Sequence, residues 1–131
     1  MRIVAGIAVG AIVAMACVFT IEWVGMMIYP PPLGIDYRNP ADLERLMSLV
    51  SPAQLAIVAF GWLAGALLGA WAADAIARRA LAGWIVALLI LVACVHNLVM
   101  LPHHPAWMWA CGILLPLLGG WLAQRLAKVP L

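Results

Sequence analysis

Apolar residues fill this chain in four long, nearly unbroken runs, at residues 3–28, 52–77, 81–101 and 105–126. Each is about 20 residues or longer, enough for a helix rising about 1.5 Å per residue to cross a hydrocarbon layer of about 30 Å. Proline punctuates the runs. Pro30-Pro31-Pro32 ends the first, because proline cannot extend the helical hydrogen-bond ladder, and Pro102 closes the third. Ser51-Pro52-Ala53-Gln54 opens the second with a capping serine, proline at the first helical position and glutamine three residues after the cap.

The one substantial loop reads PPPLGIDYRNPADLERLMSLV. Asn39-Pro40 has the form of a cap and first helical residue, predicting a short helix over 40–50. Leu43, Leu46, Met47 and Val50 recur on one face, with Asp42, Glu44 and Arg45 off it. Such a helix either lies on a membrane surface or packs over the mouth of the helices. The fold expected is all-α: an integral membrane four-helix bundle in one domain, 1–131, with this amphipathic helix on the outer surface.

Orientation follows from the cations. Arg2, Arg78, Arg79, Arg125 and Lys128 fall at one end and only Arg38 and Arg45 at the other, which predicts cytoplasmic termini. Trp23, Tyr29, Trp107 and Trp109 then mark the outer boundary, and Trp84 and Trp121 the inner one.

Composition agrees. Of 131 residues, 68% are hydrophobic and 9% charged, too little polar surface to cover a water-soluble globule. A net charge of +2 with no basic stripe excludes a nucleic-acid partner; the bilayer is the partner expected. Cys17, Cys94 and Cys111 all lie in apolar runs without CxxC spacing, so neither a disulfide framework nor a zinc knuckle is predicted. The start, MRIVAGIAVGAIVAMAC, imitates a signal peptide, but the apolar run continues well past Cys17, as an uncleaved membrane helix would.

Gly61, Gly65 and Gly69 form one ridge on the second span; Gly6, Gly10 and Ala14 form another on the first. Ridges without side chains let membrane helices approach closely, either inside the bundle or across a homodimer seam.

Glu22 is the exceptional residue. It lies roughly 10 Å outward of the first span's midpoint, where a carboxyl must be protonated, paired or facing water. Its helical face carries Ala11, Met15, Val18 and Tyr29. Asn97, His96, His103, His104 and Gln54 lie at a similar height, whereas the inner half of the spans is almost free of polar side chains. An outward-facing polar pocket is predicted rather than a channel. Candidate ligand-binding residues are Glu22, Asn97, Tyr29, His96 and His103. Asn97 is the favoured partner of Glu22, since an amide both donates to and accepts from a carboxyl group. No cofactor and no metal site is expected, because the helical ExxH and HxxxH pairings are missing. No Ser or Cys has a His and an acid beside it for nucleophilic catalysis. Asp74 precedes Arg78 at i, i+4, the spacing of a local ion pair.

Taken together, Glu22, Tyr29-Pro30-Pro31-Pro32, Gly34-Ile35-Asp36, Gly61-Trp62, Asn97-Leu98 and Met100-Leu101-Pro102-His103 resemble a family of small, uncharacterised four-helix bacterial membrane proteins. The resemblance spans nearly the whole chain and implies a multi-pass protein of the inner membrane, with no activity attached. Here the turn reads Pro-His-His-Pro, where that pattern has one histidine, which leaves His103 and His104 both open as the match. Small multidrug-resistance transporters share the architecture and an embedded Glu, but a likeness of fold does not establish function.

Three functional readings follow. The first is binding or transport of a small amphipathic or cationic ligand at Glu22. The alternative is an accessory or assembly subunit of a larger membrane complex, docking through the glycine ridges. The third is an enzyme acting on a lipid or quinone-like substrate with Glu22 and a histidine as acid and base; the chain's length weighs against it.

Overall fold

The structure, a computed structural model, describes residues 1–130. Among them there are only helices: α1 (Arg2–Ile28), α2 (Pro40–Leu49), α3 (Pro52–Ala77), α4 (Ala80–Met100) and α5 (Ala106–Ala127). α1, α3, α4 and α5 are long and apolar enough to cross a membrane. The helix starts follow the local chemistry. The Asn39 side chain accepts from the Ala41 N–H at 3.0 Å, and Ser51 Oγ accepts from the Gln54 N–H at 3.2 Å, each satisfying an amide that the first turn leaves free. Pro116 lies within α5 without ending it; neighbouring helices in an apolar bundle support such a break in the ladder.

α3 is central and packs against each of the other long helices; α4 also meets α5 and, more sparsely, α1. The interior is built from small residues. Ala14, Ala66, Ala70, Ala73, Ala82 and Ala87 are fully buried, while Ile12, Phe19, Leu88, Val92 and Leu114 point outward. That inversion suits lipid as solvent, since close backbone packing rather than apolar burial must join the helices.

The two glycine ridges meet each other. A Cβ on Gly10 would lie 2.5 Å from the Gly69 carbonyl oxygen, and one on Gly69 would lie 2.7 Å from the Gly10 oxygen. Gly6 sits as tightly on Ala73, and Gly65 on Val18 and Ala14. Of the two uses open to these ridges, the chain adopts the internal one.

At the Arg78-Arg79 turn the expected ion pair is not formed. Arg78 is exposed and takes the left-handed conformation, φ 57°, that ends α3. Asp74 instead turns inward, fully buried, and its Oδ1 accepts from the Gly83 N–H at 2.7 Å in the first turn of α4. The free amides at a helix start attract a carboxylate more effectively than a solvated arginine one turn away. The neighbouring Ala80 N–H donates to the Pro130 carbonyl at 2.9 Å. This end of the helices is therefore less apolar than the sequence suggested.

Candidate functional site

The opposite end, toward the prolines, is less tightly knit. A cavity of about 270 Å³ opens there between α1, α3, α4, the start of α5 and the α2 segment. Each element contributes for a local reason. α1 runs unbroken through Glu22 to Gly25, where the missing side chain lets Ile57 of α3 approach: a Cβ there would be 3.0 Å from Ile57 Cγ2. Gln54 falls at the cavity because the Ser51 cap starts α3 just before it. Asn97 is carried by the last turn of α4.

The loop before α2 is held by its own polar groups. Asp42 Oδ2 accepts from the Asp36 N–H at 3.0 Å, and Asp36 Oδ1 accepts from the Arg38 N–H at 2.9 Å. This sets α2 with Leu46, Met47 and Val50 toward the cavity, the apolar face read from the sequence. α2 buries no residue fully and packs closely against none of the long helices. It covers the cavity through side chains alone.

A second cavity, about 140 Å³, lies on the other side of Glu22. It runs between α1 and α4, lined by Met15, Val18 and Phe19 on one side and Ile90, Ala93 and Cys94 on the other, with Trp62 of α3 at its floor. Glu22 and Asn97 line both cavities and form the wall they share.

Among the described residues no protein group hydrogen-bonds the Glu22 carboxyl, and neither oxygen is sealed away without a partner. Glu22 is half-buried and faces open space. Asn97, the partner favoured for it, shares that space without bonding to it.

Of the five candidate ligand-binding residues, the structure brings Glu22 and Asn97 together. Tyr29, His96 and His103 line neither cavity, and His96 and His103 are exposed. His96 stands about 100° around α4 from Asn97, so only one of the two can face inward. The second histidine of the turn takes the place considered for His103. His104 lines the larger cavity, and its Nδ1 lies 2.9 Å from the Leu101 carbonyl. A carbonyl only accepts, so Nδ1 carries the hydrogen and donates it. His103 adopts φ 63°, and that left-handed turn carries its side chain outward. Tyr37 also lines the cavity, a position that no periodicity marks because it belongs to a loop.

Among the described residues no Lys or Arg lines either cavity. The site thus offers one carboxyl, two amides, one imidazole and a phenol in apolar walls. Such a set can both accept and donate hydrogen bonds, and the carboxyl is its one acidic group. Among the described residues no His, Cys, Asp and Glu cluster has the arrangement of a metal site. Compared with protein-family models, curated proteins and solved structures, the chain matches none.

Proposed function

We propose that this is a multi-pass membrane protein of a cell membrane, a four-helix bundle with both termini cytoplasmic and α2 on the outer face. Its outward-facing pocket binds a small cationic or amphipathic ligand at Glu22. The observation that carries this reading is the unpaired Glu22 carboxyl opening onto both cavities. A carboxyl kept as a structural hydrogen bond would be partnered by a neighbouring helix; this one lines the same cavity as Asn97, Gln54 and His104 and is bonded to none of them. The excess of Lys and Arg at the Arg78-Arg79 end supports the orientation. The accessory-subunit reading loses its main support, since the glycine ridges are buried in contacts within one chain.

The test is equilibrium binding of tetramethylammonium to the protein in nanodiscs, with Glu22→Gln as control. The expected result is weakening of about tenfold or more in Glu22→Gln, the scale of one charge-assisted contact, with unchanged yield and melting. Equal binding by the two proteins, or none by either, overturns the reading.

A further inference from the structure

The smaller cavity extends the proposed pocket in a direction that the larger one does not take. It lies in the α1–α4 seam, the sparsest contact between long helices, and α5 does not close it from behind because α5 does not reach α1. Its rim is open to the surroundings: Phe19 is 61% and Met15 40% exposed, and Ala93 is exposed on the facing helix. These residues lie within the stretches long and apolar enough to cross a membrane. The opening is therefore sideways, at the depth of acyl chains, while the larger cavity opens toward the loop end. Among the described residues only Glu22 and Asn97 line both cavities, which meet there.

We propose that the ligand is a single-chain alkyl cation, such as a long-chain alkylammonium. Its head sits at Glu22 in the larger cavity and its chain lies in the slot between α1 and α4, reached laterally from the outer leaflet. This rests on the reading of Glu22 as a ligand site and specifies the ligand's class and its route. Three features select it. The carboxyl at the shared wall, with no Lys or Arg among the described residues of either lining, matches a cationic head and disfavours a phosphate. The slot has about half the volume of the head compartment, with apolar walls apart from the shared pair and Cys94, which suits one chain rather than two. The junction of polar and apolar spaces at one residue pair matches a molecule whose polarity changes at one point. Phe19 of α1 and Ala93 of α4, which both line the slot, then determine which chains fit.

The test uses an alkyltrimethylammonium carrying a diazirine in its chain, photolysed with the full-length protein in nanodiscs and mapped by mass spectrometry. Adducts are expected on the α1 segment around Met15 and Phe19 and on the α4 segment around Ala93. They should fall about tenfold in Glu22→Gln, the loss of one charge-assisted contact. Ala93→Trp, a change at an exposed position, fills the slot. It should abolish these adducts, whereas Val92→Trp, at an exposed position that lines neither cavity, should leave them unchanged. Adducts spread over the lipid-facing sides of all four long helices and indifferent to Glu22 would place the chain in bulk lipid and overturn the proposal. So would a phospholipid acyl chain that keeps the slot filled and excludes the probe. In both cases Glu22-dependent tetramethylammonium binding would leave the pocket itself standing. Loss of that binding in the unsubstituted protein removes the pocket as well.

Discussion

At the proline-loop end Glu22 stands half-buried, lining both cavities, with no hydrogen-bond partner among the described residues; at the arginine-turn end Asp74 is shut in completely, one oxygen held by the Gly83 amide. Both are carboxyls in helices apolar enough for a membrane. Their surroundings differ in packing. At that end the helices touch backbone to backbone through Gly6, Gly10 and Gly69, and Gly83 leaves room for the Asp74 carboxyl itself. Around Glu22 a polar loop and α2 replace such contact, and space is left. A carboxyl beside free helix-start amides in a tight seam fastens two helices. A carboxyl in a loose seam is available to something else. The Oδ2 of Asp74 and the Nε2 of Gln124 are both buried without partners, so even the sealed end keeps some unused polarity.

The sharpest way to break the contrast is to open the tight end. Gly10→Ile or Gly69→Ile drives a branched side chain into the opposing carbonyl. Each should cost about 3 kcal/mol or abolish assembly, read as lost melting and aggregation in gel filtration.

Next comes the Asp74 fastening. A Cβ on Gly83 would meet the Asp74 carboxyl at 2.5 Å, so Gly83→Ala should cost about 2 kcal/mol. Asp74→Ala should cost a similar amount, as expected for a buried hydrogen bond to a carboxylate. The double variant should cost less than their sum, because removing the carboxyl also removes the clash. Additive costs in a double-mutant cycle would mean that the two residues do not touch.

Smaller is the effect at Arg78. Because it forms no ion pair with Asp74, Arg78→Gly should be neutral or stabilise by up to about 1 kcal/mol, relieving a left-handed residue. A loss of that size in thermal unfolding would restore the ion pair. Smallest is Glu22→Gln, within about 0.5 kcal/mol by the same measurement, since no protein contact is lost.

The helices were legible because long apolar runs bounded by proline admit few alternatives. Predicted spans of 52–77 and 81–101 became Pro52–Ala77 and Ala80–Met100. The small-residue ridges were visible as well, although spacing alone could not say whether they mate within one chain or between two. The loop end was harder. Glu22 and Asn97 could be matched by height along their helices, whereas His104 and Tyr37 are placed by turn conformation and loop hydrogen bonds, which have no period. Asp74 was misread because i, i+4 spacing shows a neighbour on the same helix and hides the Gly83 amide on the next. Gln54 was foreshadowed by its cap; Trp62 at the slot floor carried no polar signal.

The most direct measurement labels both carboxyls at once. The protein in nanodiscs would be treated with a hydrophobic carbodiimide over a range of pH and the adducts located by peptide mass spectrometry. Modification at Glu22, with Asp74 untouched until the protein is unfolded, is the result expected of one open and one fastened carboxyl. Resistance of Glu22 at every pH, or labelling of Asp74 as readily as Glu22 in the folded protein, would contradict it.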